Sequence, residues 1–382
     1  MTTSPVTASV ACIEVTDRRA FDEWSALTDR LYASTPEFIP PFRQQLRDFF
    51  ERKAPYFRHG DISFLSVVRE GEVVARTTAH TNAKLDRKLG SRNLLFGFTE
   101  FVEDDEVFAA LVDGLEAAAQ RHDATQLVGP VNLLPNQSGG VVTSGYEQRG
   151  FVDGPYNHPY YPGIYERHGF ERLFEGATFV GRITGSDVPP EQIFPFDDER
   201  IGRERLEIRR ANRKRVDEEL VFVRSMLNAS FAQLDYYTEI DEQELAYQVD
   251  GLSHLLDERI ALYLFKAGTP IAFMLCVPDI SEFVRKVNGN LNLANQVRLL
   301  LTRSRYRRDA ICVIKGTVPS EQGKGYMSLL SRELLRNLRA AGYETLRGTF
   351  IEHENVASSS QAEHMSGVPL HGVTFYRRAV GG

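Results

Sequence analysis

The order of elements in the first half of the chain recurs in the second half, and this repetition limits the possible folds more than any single motif does. Alternating apolar residues predict a strand over Ala8 to Val15. An amphipathic helix follows over Arg18 to Tyr32, with Phe21, Trp24, Leu27 and Leu31 on one face. Leu206 to Ala211 and Val216 to Phe231 repeat that pair. Ile62 to Arg69 and Val73 to His80, joined by Glu70-Gly71-Glu72, form a predicted hairpin, and Ile260 to Phe265 with Pro270 to Val277 form another. A strand at Asn93 to Val102, a helix at Asp105 to Gln120 and a strand at Gln126 to Val131 complete the first copy. Ala310 to Val318, a helix over Met327 to Ala341 and Thr345 to Ile351 do the same for the second. Each copy is therefore expected to be an α/β unit (α+β by layer), a mixed twisted sheet flanked by helices. The expected boundaries are 1–188 and 202–382, with the Pro- and Asp-containing stretch 189–201 as linker.

A chain of 382 residues, 42% hydrophobic and 25% charged, can bury two cores. Its formal charge of -7 argues against a general nucleic-acid binder, although 203–215 and 298–308 are locally basic. Cys12, Cys276 and Cys312 are odd in number, far apart and set in apolar runs. They are expected to be small core residues rather than a disulfide or metal set, and no metal is expected. The amino terminus shows no basic stretch followed by an apolar run. The longest apolar region, 260–277, is interrupted by Lys266, Gly268 and Pro270, so a cytoplasmic location is expected.

The segment most informative about chemistry is Val318-Pro319-Ser320-Glu321-Gln322-Gly323-Lys324-Gly325-Tyr326-Met327, where a strand runs through a turn into a helix. Gly323 and Gly325 let the backbone approach a ligand, and the following helix places its positive dipole end at the same point. An anion such as a pyrophosphate suits that position. The segment resembles the acyl-CoA-binding motif of the GNAT superfamily of N-acyltransferases, which is Gln or Arg, two residues, Gly, one residue, then Gly or Ala. Gln322 and Gly325 match the first and fourth positions, while Met327 stands where a small residue is usual.

The resemblance extends over nearly the whole chain as two GNAT-like domains. It implies transfer of an acetyl or longer acyl group from CoA to a primary amine by direct attack. The implied CoA contacts are Val318, Gln322, Gly323, Lys324, Gly325, Tyr326, Met327 and Asn355, with the pantetheine arm held beside Lys315 to Val318. In the first copy the corresponding turn is Val102-Glu103-Asp104-Asp105-Glu106, whose carboxylates repel phosphate. That copy nevertheless keeps Ile164-Tyr165-Glu166-Arg167-His168-Gly169-Phe170, similar to the family's fourth helix, whose tyrosine protonates the departing thiolate. The second copy has Glu363 at that place.

Loss of a proton from the attacking ammonium calls for a carboxylate or histidine, and His353 or Glu354 is the expected acceptor. Tyr376 and Tyr326 are candidate proton donors to the thiolate, or packing tyrosines. Glu354 and Asn355 equally suit the start of a helix. Tyr156, Asn157, His158, Tyr160, Tyr161 and Tyr165, with Asn132, Asn136 and Ser138, either line an acceptor pocket or pack a rigid loop. The insert 281–308 mixes leucines with arginines and either lies on an acidic membrane or packs as a surface helix.

Further segments, Pro40-Pro41, Gly129-Pro130-Val131-Asn132, Pro155 to Tyr161 and Glu352-His353-Glu354-Asn355, resemble uncharacterised tandem members of the superfamily. Bacterial ceramide synthases are similar to that group. One alternative is thus a long-chain acyl-CoA to lipid-amine transferase at a membrane surface. A second alternative is a CoA-binding or interaction protein without catalysis.

Overall fold

A computed structural model describes residues 9–133, 139–185, 187–249, 256–365 and 367–381, so Asn136 and Ser138 lie outside the described residues. The strands are β1 (Val10–Glu14), β2 (Ile62–Arg69), β3 (Glu72–His80), β4 (Asn93–Phe101), β5 (Gln126–Gly129), β6 (Val141–Ser144), β7 (Glu171–Arg182), β8 (Leu206–Arg210), β9 (Ala261–Lys266), β10 (Thr269–Pro278), β11 (Asp309–Thr317), β12 (Thr345–Glu352) and β13 (Gly367–Ala379). The chain forms two compact units. The first contains residues 1–40, 45–175 and 373–382, and the second contains 41–44 and 176–372.

In the first unit the sheet runs β1-β2-β3-β4-β5 and ends on β13, which lies antiparallel to β5 with Tyr376 opposite Gly129. In the second it runs β8-β9-β10-β11-β12 and ends on β7, antiparallel to β12 with Arg182 opposite Thr345. Both sheets are mixed, since β4 is parallel to β5 and β11 parallel to β12. The repeated order is therefore present, and each unit takes its sixth strand from the end of the other copy's sequence.

The sequence periods account for both cores. In the first unit Val107, Phe108, Leu111 and Leu115 of the helix Asp105–Arg121 meet Leu65, Val67, Ala75, Leu94 and Phe96 of the sheet. In the second, Leu262, Leu264, Ala272 and Met274 face Leu329, Leu330, Leu334 and Leu338 of the helix Tyr326–Ala341. The alternate residues Tyr263, Phe265 and Phe273 face Val223, Met226 and Leu227 of the helix Val216–Phe231, as a period of two requires. Each fully buried leucine contributes about 1.5–3 kcal/mol.

The expected linker is packed structure. Residues 189–201 include the short helix Pro190–Ile193 and most of Glu199–Arg203, and Phe194 is buried in the second unit's core. Arg336 pairs with Glu191 at 2.5 Å and Arg332 with Asp198 at 2.6 Å. The basic stretch 203–215 is likewise paired, with Arg209 on Glu207, Arg215 on Glu218 and Arg213 on Glu258. No helix among the described residues is long and apolar enough to cross a membrane.

Candidate active site

In the second unit β11 and β12 pair from Asp309 with Thr345 to Cys312 with Gly348, and no further pair follows among the described residues. Beyond that point the two strands part, leaving a slot between Val313–Thr317 and Thr349–Glu352, bridged near its base where the Thr349 hydroxyl donates to the Val313 carbonyl at 3.0 Å. On its other edge β11 continues to pair with β10 as far as Ala272 opposite Thr317. Val318 donates its N–H to the Ile271 carbonyl at 2.9 Å, and its carbonyl accepts from Glu321. Val318, expected to hold a pantetheine arm, is thus engaged within the chain. Because antiparallel ladders alternate, Thr317 and Lys315 turn their backbone groups to the slot instead.

The turn that follows is built to leave donors free. Gln322 donates its side-chain amide to the Thr317 carbonyl at 3.0 Å, tying the turn back to the strand. Gly323 at φ 74° and Gly325 at φ 80° adopt the left-handed conformation that glycine tolerates, and a Cβ on either would project into open space. Gly325 caps the helix Tyr326–Ala341 without a side-chain acceptor. Among the described residues the amides of Gly323, Lys324, Gly325, Tyr326 and Met327 meet no acceptor. Successive free amides at the positive end of a 16-residue helix form an anion cradle.

Charged groups hold this cradle from behind. The Tyr326 ring is buried, and its hydroxyl donates to Glu204 and lies 2.9 Å from the Lys266 ammonium. Glu321 bridges Lys266 and Lys324, each at 3.0 Å. Arg200 donates to the Lys324 carbonyl at 3.1 Å. Tyr326 is therefore a buttress under the turn. Met327 packs against the core at the side of the slot. Its carbonyl accepts from the Gln361 amide at 3.3 Å, and Gln361 also bonds Lys315 and Ser331. Burial in this slot lowers the Lys315 pKa.

At the far end of β12, His353 and Glu354 are exposed. Asn355 caps the helix Val356–His364, its side chain accepting from the Ser358 N–H at 3.1 Å, which matches the helix-start alternative. The sequence reading passed over Glu352, the preceding residue. It is half-buried, and burial with the neighbouring Glu354 raises its pKa. Burial and the charge of Glu352 push the Tyr236 hydroxyl up to about 12. A carboxylate shifted toward neutrality beside an open slot is a suitable proton acceptor. His353 lies in the turn just beyond β12, outside the strand that positions Glu352.

Tyr376, a candidate proton donor, belongs to the first unit. It is fully buried, stacks on Tyr165 at 4.7 Å between ring centroids and donates to Glu166 at 3.2 Å. The exchange of β13 puts it in that core rather than beside the second unit's turn.

The first unit has the equivalent slot, and its own side chains fill it. After Leu95 opposite Val128 the Val131 N–H bonds the Phe96 carbonyl at 2.7 Å, and the Asn132 side chain accepts from the Phe98 N–H at 3.0 Å. The Tyr161 hydroxyl accepts from the Phe101 N–H at 3.1 Å and donates to Glu100 at 2.8 Å, while Tyr160 donates to the Phe101 carbonyl at 2.5 Å. Asp104 caps the next helix by accepting from Glu106 and Val107, and Arg69 holds Asp104 at 2.8 Å. A carboxylate thus occupies the place of an anion. Tyr156 donates to the Tyr146 carbonyl at 2.7 Å, and Asn157 is buried with Val142. Asn132, Tyr156, Asn157, Tyr160 and Tyr161 are accordingly bonded within this unit, while the Tyr165 ring packs among Phe96, Phe108 and Phe170.

No family model matches the chain. Over 360 residues, 93% of this chain and 92% of the relative, it is 23% identical to Protein YghO of Escherichia coli (strain K12). It is 22% identical to the bacterial ceramide synthase of Caulobacter vibrioides (strain NA1000 / CB15N) over 386 residues, 98% of each chain. Among solved structures, the tandem GNAT protein from the clavulanic acid biosynthesis pathway matches with a TM-score of 0.60 at 14% identity, covering 98% of this chain and 99% of that one. A GCN5-related N-acetyltransferase from Sphaerobacter thermophilus matches at 0.51 and 11% identity, covering 97% and 96%. The chain has the tandem GNAT fold.

Proposed function

We propose that the protein is an acyl-CoA-dependent N-acyltransferase whose second unit binds the donor. The observation that carries this reading is the run of five unpaired amides from Gly323 to Met327 at the mouth of the slot between β11 and β12. The amides and the Lys324 ammonium would hold the pyrophosphate, and the slot-facing backbone of Lys315 and Thr317 would hold the pantetheine as an added strand. The amine nitrogen attacks the thioester carbonyl, the C–N bond forms and the C–S bond breaks. The ammonium proton passes to Glu352, directly or through water, and the thiolate takes a proton from solvent. His353 and Glu354, exposed just beyond Glu352, would relay that proton outward.

For acceptor and chain length, the relative named a bacterial ceramide synthase, similar over 98% of both chains, supports a long-chain acyl group and a lipid amine. The test is amide formation followed by mass spectrometry, with acetyl-CoA or palmitoyl-CoA and either a short polyamine or a sphingoid base. Amide product in any pair, lost in Gly325→Glu, supports the reading. CoA binding without product in every pair would leave a non-catalytic CoA-binding protein.

A further inference from the structure

Two helices, Ser281–Lys286 and Leu293–Thr302, are inserted between β10 and β11 of the second unit. In the second of them only part of the apolar side chains pack it down. Leu299 is 2% exposed and attaches the helix to the unit, whereas Leu293 is 76%, Val297 48%, Leu300 37% and Leu301 80% exposed. With 3.6 residues per turn these four share a sector about 100° wide, and Leu299 falls on the opposite side. An apolar stripe therefore faces water where a surface helix ordinarily carries charge.

Cations border the stripe. Arg298 and Arg303 fall on its two flanks, and Arg305 follows in the turn Arg303–Tyr306. All three are exposed, and among the described residues none has an ion-pair partner. Several other exposed arginines of this unit are neutralised, as Arg308 is by Glu344 at 2.8 Å and Arg209 by Glu207 at 2.6 Å. No acidic residue occurs between 283 and 308, in a chain whose formal charge is -7.

We propose that the helix Leu293–Thr302 seats on an anionic lipid surface, with the leucines in the boundary between headgroups and acyl chains and the arginines at the phosphates. A bilayer provides an apolar layer under an anionic layer, in the order that this helix presents its groups. A second copy of the chain fits poorly, because a two-fold contact would place these arginines against themselves with no carboxylate in the segment to meet them. One short helix with three free cations makes a reversible anchor. The proposal is independent of the acyltransferase reading, since binding to lipid is measured without CoA.

The test is co-sedimentation of the full chain with phosphatidylcholine vesicles and with vesicles containing phosphatidylglycerol. The expected result is binding to the anionic vesicles that weakens at least about tenfold in Arg298→Glu/Arg303→Glu. Leu293→Ser/Leu301→Ser is expected to weaken it similarly, with an unchanged melting temperature. Wild-type binding should also fall as sodium chloride is raised, a reading that needs no variant. Equal binding to both vesicle types, no binding, or a dimer in sedimentation velocity that the leucine substitutions dissociate would overturn the proposal.

Discussion

At the end of β12, Glu352 is half-buried, His353 and Glu354 are exposed, and Asn355 is occupied as a helix cap. Burial and Glu354 raise the Glu352 pKa, so its ionised form opposes folding. The stability that its neutral form provides is complete below its unfolded pKa and lost as pH rises through the raised folded value. Glu352→Gln is therefore expected to be at least as resistant to urea as the wild type at pH 7, while kcat falls about 10²-fold or more. The wild-type rate should fall as pH drops through that raised value. An unchanged kcat in this variant would remove Glu352 from the proton path. Gly323 and Gly325 were legible because a left-handed turn before a helix has few alternatives to glycine, whereas the engagement of Val318 with Ile271 depends on a neighbouring strand.

Among elements, those with a strong local period were readable to within a residue or two: the helix Val216–Phe231 and the strand Ile62–Arg69 stand where alternation and helical spacing put them. β13 was not readable, since Pro369 and two glycines resemble turn chemistry and the partner strand is remote in sequence. The closed slot of the first unit was legible only in part. Its acidic turn was evident, but the buried network behind β4 was not. Glu100 accepts from Tyr32 at 2.7 Å and from Tyr161 at 2.8 Å, and the nearby Arg76 lies over the Trp24 ring at 4.2 Å. Burial raises the Glu100 pKa and lowers that of Arg76, each opposed by the other's charge in the case of Glu100 and by Glu100 in the case of Arg76. Arg76→Met leaves a buried carboxylate without its cation and is expected to cost about 3–5 kcal/mol at pH 7. The loss should shrink at pH 5, where Glu100 takes up a proton more readily, and restoring stability by adding Glu100→Gln would confirm the coupling. Equal losses at both pH values, measured by urea unfolding, would contradict it.

For the molecule as a whole, two copies in sequence do not give two separable domains. The first unit needs residues 373–382, and Tyr376 from that segment is fully buried in its core. A fragment comprising residues 1–188 is therefore expected to leave the edge of β5 bare and to remain unfolded or aggregate. A cooperative thermal transition of that fragment at the full-length temperature would show the exchange of β13 to be dispensable. The central claim is that the open cradle of the second unit binds acyl-CoA. Its most direct test is calorimetric titration of acetyl-CoA, palmitoyl-CoA and free CoA into the full-length protein and into Gly325→Glu, with circular dichroism as a control for folding. Binding at one site per chain, abolished in the folded variant, is the predicted result; no binding to the wild type, or equal binding to both proteins, would contradict the account.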